Sequence, residues 1–154
     1  MKKLTALTSA LMCIIMLGGC ARQEEESASF GQWATELDRQ QLQWVQAEPG
    51  DGEPSTSYLF PEQELDQVVT ILKTITDNQI SRGQLTEDIA FRLIVVYQDI
   101  LWQFQCTDSG TICVTFSDAD TAACYGCIGE QLLIDNPELW EFIRDTVETS
   151  CEVS

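Results

Sequence analysis

The stretch Trp102-Gln-Phe-Gln-Cys-Thr-Asp-Ser-Gly-Thr-Ile-Cys-Val-Thr-Phe116 decides the fold class. Trp102, Phe104 and Cys106 alternate with Gln103 and Gln105, and Ile112, Val114 and Phe116 alternate with Thr111, Cys113 and Thr115. A period of two is expected of strands that bury one face. The connection between them must keep both apolar sets on the same side, because a slip of one residue turns every side chain over. A three-residue loop, Asp108-Ser109-Gly110, does this: it opposes Cys106 to Ile112, Phe104 to Val114 and Trp102 to Phe116, with Gly110 free to take the positive φ of a bulge. A two-residue loop would oppose Phe104 to Cys113 and mix the faces. The sequence therefore predicts an antiparallel hairpin with one apolar face.

Working outward, Ile89 to Gln98 is rich in β-branched and aromatic residues, with Phe91, Leu93, Val95 and Tyr97 on one side and Arg92, Ile94, Val96 and Gln98 on the other. It reads as a strand buried largely on both faces, with a buried helix as the rival. Upstream, Leu65, Val68, Val69, Leu72 and Ile75 form a helical stripe, Pro61 suits the first helical position and Glu62 and Glu64 its positive end. A helix over Pro61 to about Thr76 is expected, followed by a loop over Asp77 to Glu87. Between Phe30 and Gln46 a helical stripe competes with strand alternation, and a short helix to about Arg39 followed by a strand to Ala47 is favoured. Glu48 to Pro54 has the Gly and Pro density of a loop, and Ser57 to Phe60 returns as a short strand. At the other end Asn136 can cap a helix whose first residue is Pro137 and whose stripe is Leu139, Trp140, Ile143 and Val147. Trp33, Trp44, Trp102 and Trp140 each fall on an apolar stripe, and core packing is expected for most of them. The fold class is α+β: an antiparallel sheet with helices packed on one face, in a single domain over residues 30–154.

The chain opens with Lys2 and Lys3, then runs uncharged from Leu4 to Leu17 and ends that run in Gly18-Gly19. This is the outline of a signal peptide, residues 1–19. It is too short for a permanent span of the hydrocarbon core, which takes about 20 apolar residues. Leu17-Gly18-Gly19-Cys20 resembles the lipobox of bacterial lipoproteins. The resemblance covers about the first twenty positions and implies that Cys20 is diacylated and becomes the new N-terminus, lipid-anchored to the cell membrane on its extracytoplasmic side. Two acyl chains at one residue anchor stably without help from the protein. Residues 20–29, the lipidated cysteine and Ala-Arg-Gln-Glu-Glu-Glu-Ser-Ala-Ser, read as an acidic tether. The order of elements along the mature chain looks like that of many small uncharacterised lipoproteins of Gram-positive bacteria. That likeness is one of layout and carries no functional residue.

From Cys20 onward all 25 acidic residues remain against six basic ones (Arg22, Arg39, Lys73, Arg82, Arg92, Arg144), so the formal charge falls from −17 for the whole chain to −19. Such a charge repels nucleic acid and anionic headgroups alike and keeps a domain soluble. Partnership with nucleic acid is set aside, and contact with the membrane is expected through the lipid.

Cys13 leaves with the signal peptide and Cys20 takes the lipid, which leaves Cys106, Cys113, Cys124, Cys127 and Cys151. Outside the cytosol disulfides are the default for such residues. The hairpin register sets Cys106 on the core face and Cys113 on the opposite one, so no bond between these two is expected. Cys106 reads as a buried free thiol, and Cys113, Cys124, Cys127 and Cys151 as candidates for two disulfides in any of three connectivities. Cys124-Tyr-Gly-Cys127 also invites a thiol-disulfide oxidoreductase, yet Ile128-Gly129 is poor helix-starting sequence and no βαβ unit precedes it. The absence of histidine removes the commonest general base and every Ser-His or Cys-His pair. Structural zinc is disfavoured by the cysteine spacing, and Asp118-Ala-Asp120 fails as a calcium loop because Ala123 stands at the sharp-turn position and Gly129 at the twelfth. No cofactor and no metal are expected. The function expected is a non-enzymatic envelope domain that binds a protein or a small ligand through its sheet or loops, with the thiol enzyme and a purely structural envelope component as alternatives.

Overall fold

The computed structural model describes residues 29–52 and 56–152. The expected signal peptide, the lipobox with Cys20 and the tether before Ser29 lie outside the described residues. In chain order the elements are α1 (Phe30–Thr35), β1 (Leu42–Pro49), β2 (Tyr58–Leu59), α2 (Leu65–Leu72), β3 (Ile80–Gly83), β4 (Phe91–Tyr97), β5 (Ile100–Cys106), β6 (Ile112–Phe116), α3 (Ala119–Cys124), β7 (Gln131–Ile134) and α4 (Pro137–Glu152). The strands make one sheet in the order β2-β1-β4-β5-β6-β7-β3, antiparallel at every pairing. This is the α+β architecture.

The β5–β6 register is the one expected: Cys106 opposes Ile112, Phe104 opposes Val114 and Trp102 opposes Phe116, and Gly110 sits at φ +98°. The apolar side of this hairpin is continued by Leu93 and Val95 of β4, Val45 and Ala47 of β1, and Leu132 and Ile134 of β7, all buried. Helices α2 and α4 close over that face with Val68, Leu72, Leu139, Ile143 and Val147 in the same core. Burying one such side chain contributes about 1.5–3 kcal/mol.

Several elements differ from expectation. β4 is a strand, but only its core side is buried; Arg92, Ile94 and Val96 are half exposed because no helix covers the other face of the sheet. The helix expected from Pro61 begins with a 3-10 turn over Glu62–Glu64, with Pro61 as its cap, and the α-helical part is Leu65–Leu72. The expected loop over Asp77 to Glu87 contains β3, and β7 and α3 were not expected at all. β3 and β7 have four residues each, too few for alternation to register against the background. Asp118, weighed above as a calcium ligand, instead caps α3: its Oδ2 accepts from the Thr121 N–H and hydroxyl, both at 2.7 Å, and those bonds hold its carboxyl below the usual range.

Asn136 joins the layers. Its side chain is buried, its Oδ1 accepts from the Leu139 N–H at 2.9 Å as the cap of α4, and its Nδ2 donates to Thr74 Oγ1 at 3.0 Å and Gln79 Oε1 at 3.2 Å. Losing a cap costs about 0.5–2 kcal/mol, and here the same change also removes the donor to two half-buried acceptors. Asn136→Ala is expected to lower unfolding free energy by about 2–3 kcal/mol in urea titrations, whereas Glu138→Ala, on the exposed first turn of the same helix, should lower it by less than about 1 kcal/mol.

Candidate functional site

With α2 and α4 on one face, the other face of the sheet is bare of helices. The strand residues that point there include Trp44, Gln46 and Glu48 of β1, Leu59 of β2, Arg92, Ile94 and Val96 of β4, Leu101, Gln103 and Gln105 of β5, and Cys113 and Thr115 of β6. Trp44, Val96 and Leu101 are cross-strand neighbours on this face, and Leu59 and Ile94 flank Gln46 in the next row, near the β2 edge. Trp44 is 38 % exposed and Leu59 62 %. One acid and one base occur on these positions, and they neutralise each other: Arg92 Nη1 lies 3.6 Å from Glu48 Oε1, while Gln46 Nε2 donates to the other Glu48 oxygen at 3.0 Å. In a chain of net charge −17, this face is electrically neutral.

Trp44 owes its position to a bulge. Leu42 opposes Tyr97 and Trp44 opposes Val96, so Gln43 is an extra residue on β1 and strict alternation breaks there. Without the bulge Leu42 and Trp44 would share a face; with it Leu42 enters the core and Trp44 turns outward. Bulges commonly re-aim one side chain in this way. The adjoining β4–β5 turn holds Gln98 at φ 51° and Asp99 at φ 64°, left-handed values that a two-residue hairpin demands and that glycine usually supplies. The Gln43 amide donates to the Asp99 carboxylate, and the Gln98 N–H donates to the Gln41 carbonyl at 3.1 Å. Bulge and strained turn thus brace each other beneath Trp44. The other tryptophans pack: Trp102 is 2 % exposed, Trp33 stacks on it at 3.9 Å between centroids, and Trp140 donates its indole N–H to the Thr107 carbonyl at 2.7 Å. Sequence alternation alone could not distinguish Trp44 from these.

The five described cysteines are all free thiols. Cys106 is buried on the core face, and burial pushes its thiol up to about 12. Cys113 is buried on the opposite face between Gln105 and Leu133, and burial, with the nearby Cys127, pushes it up to about 11. Cys127 is half-buried and packs against the core. Cys124 is exposed at the end of α3, and Cys151 is exposed in the last turn of α4.

The Cys124-Tyr-Gly-Cys127 segment has a structural explanation. The Gly126 N–H donates to the Ala123 carbonyl at 2.9 Å and the Cys127 N–H to the Ala122 carbonyl at 2.8 Å, with Gly126 at φ +71°. That pair of bonds is the Schellman stop of a helix, with glycine in its left-handed position and an apolar residue following. Arg82 of β3 fastens it from outside, donating to the Tyr125 carbonyl at 2.8 Å and the Gly126 carbonyl at 3.3 Å. Cys124 therefore lies at the negative end of a helix dipole, the end that disfavours a thiolate. Burial raises the Cys127 thiol, with Arg82 pulling weakly the other way.

No group of three or more Cys, Asp or Glu side chains able to hold a metal ion occurs among the described residues, and no described helix is long and apolar enough to cross a membrane. The chain matches no family model, no curated protein and no solved structure.

A Cβ at Gly126 would meet Arg82 Nη1 at 2.3 Å and sit at positive φ, so Gly126→Ala should cost about 1–3 kcal/mol in denaturant unfolding. The Cys106 thiol, ordinarily near 9.0 and held near 12 in the fold, stays protonated between those pH values while the unfolded chain releases its proton. Its stabilising contribution is complete below pH 9 and is lost at about 1.4 kcal/mol per pH unit above it. Unfolding curves from pH 8 to 11 should show this slope, reduced in Cys106→Ala, and alkylation at pH 8 should label Cys124 and Cys151 well before Cys106 and Cys113.

Proposed function

We propose that this chain is a lipoprotein of the cell envelope, anchored through a diacylated Cys20, and that its globular domain is a non-enzymatic binding module that takes a partner protein on the helix-free face of the sheet. The observation that carries the binding role is the neutral apolar patch around Trp44 and Leu59 in a strongly acidic chain. Interface centres are depleted in charge and enriched in aromatic residues, and tryptophan is among their commonest anchors. An exposed apolar patch rimmed by polar residues, here Gln46, Gln103 and Gln105, is a mark of an interaction surface. The paired strands and the braced bulge hold the indole in place before any partner arrives, which limits the entropy lost on binding.

The anchor rests on the order basic pair, apolar run, lipobox. Cys20 and Ser29 are nine positions apart, a reach of at most roughly 30 Å at about 3.5 Å per residue. The domain would then work close to the membrane, with its acidic surface repelled by anionic headgroups.

Mass spectrometry of the protein from its native host should find a diacylglyceryl group on Cys20 and no trace of residues 1–19; an intact Met1 would end the anchoring part of the reading. For the face, a photo-crosslinking residue placed at Leu59 in the full chain should give a discrete crosslinked product in host cells, and Trp44→Ala should reduce its yield at least tenfold with the circular dichroism spectrum unchanged. Equal yields from position 59 and from Gln67 on the helix side would refute the face as the binding surface.

A further inference from the structure

The two edges of the sheet are unlike. β2 is two residues long and runs straight into Pro61, a short edge that offers little to a passing strand. β3, at the other edge, pairs with β7 along its length and with no other described strand. The Asp135 N–H donates to the Gln79 carbonyl at 2.9 Å, so Gln79 turns its backbone groups toward the β7 side. Alternation along an antiparallel strand then turns those of Ser81 and Gly83 the same way and those of Ile80 and Arg82 outward. The Ile80 N–H is taken by the Asp77 carbonyl, so the free edge presents the Arg82 N–H and the Ile80 and Arg82 C=O groups in the spacing of a strand.

A cavity of about 380 Å³ opens beside this edge on the helix side. Phe30, Ile80, Tyr125 and Leu132 supply its apolar lining, and Asp77 and Arg82 stand among its polar groups. Neither charge is left to select an ion. Both Asp77 oxygens accept from the Ser29 hydroxyl at 2.7 Å and one also from the Gly31 N–H at 3.0 Å, while the Arg82 guanidinium is spent on the Tyr125 and Gly126 carbonyls. With both charges satisfied, the cavity suits an uncharged side chain that packs against Ile80 and Tyr125 beside Ser29 and Ser81.

We propose that the free edge of β3 receives an extended peptide segment of a partner protein as an eighth strand, with one large apolar side chain of that segment seated in the cavity beside Phe30, Ile80 and Tyr125. Backbone pairing at an edge supplies general affinity, and a pocket for alternate side chains supplies selection. In a strand added to β3, every second side chain falls on the helix side, where this cavity lies, and the intervening ones fall beside Ser81 on the helix-free side. The field of a chain carrying −17 favours a segment that is neutral or basic over an acidic one. The same field opposes pairing of two β3 edges from two copies of this chain. The site lies at the opposite edge of the sheet from Trp44 and depends neither on that patch nor on the lipid.

The test uses the unaltered full chain, so no folding defect enters. A phage-displayed library of random octapeptides is selected on the immobilised protein, and the enriched peptides are synthesised and examined by amide hydrogen exchange. The expected peptides share an apolar residue and slow exchange at the Arg82 amide at least tenfold. N-methylation of alternate peptide amides on the pairing side should weaken binding at least tenfold, while methylation of the intervening amides is tolerated. A library without binders, binders that leave the Arg82 amide exchanging as before, or dimerisation that protects the same amide without peptide would each overturn the proposal.

Discussion

The phase of the β5–β6 hairpin is the constraint on which the rest of the domain depends. Because the loop sets Cys106 against Ile112, three large side chains from each strand fall on one side, and the neighbouring strands can join only in registers that extend that side. Leu93 and Val95 opposite Phe104 and Trp102, and Leu132 and Ile134 opposite Val114 and Ile112, do this. A sheet with one continuous apolar face needs one layer of helices, and α2 and α4 supply it. The second face is then left to solvent by default, so the existence of a broad, helix-free surface follows from the same register that builds the core.

What could be read from the sequence, and what could not, divides along the length and placement of the elements. The long strands β4, β5 and β6 and the helix capped by Asn136 were legible because each repeats its period several times. β3 and β7 were not, since four residues give two inward and two outward positions, a pattern that Ile80-Ser-Arg-Gly83 shares with many loops. The bulge at Gln43 was invisible for a different reason. Alternation of Leu42 and Trp44 looks like one face, and only the pairing partners Tyr97 and Val96 reveal the extra residue. The most exposed of the tryptophans was therefore the one that sequence pattern assigned to the core with the others. Of the site, the sequence supplied the residue types and the structure supplied the phase.

The cysteines illustrate how a motif can have its residues explained by backbone geometry before any chemistry is invoked. Gly126 is needed because the helix stop takes a positive φ there, and because Arg82 lies against its Cα with no room for a Cβ. Cys127 follows the glycine where that stop favours an apolar side chain, and it packs against the core accordingly. Arg82 in turn joins the edge strand β3 to the loop after α3, two segments that sequence reading left without structure. One guanidinium thus fixes the end of a helix and one wall of the cavity beside the sheet edge.

Charge distribution connects these parts. A chain with 25 acidic residues and eight basic ones has more negative charge than its few cations can pair, so most of it must be spread over solvated surface where self-repulsion is screened. Positions excused from that load stand out against it. The helix-free face carries a single carboxylate, and that one is paired with Arg92 and bonded by Gln46; the cavity at the β3 edge carries one carboxylate, and that one is occupied by Ser29 and Gly31. Desolvating an unpaired carboxylate under a partner would cost several kcal/mol, whereas desolvating one already satisfied costs far less. Water is therefore removed from both surfaces at lower cost than from the carboxylate-rich surface around them.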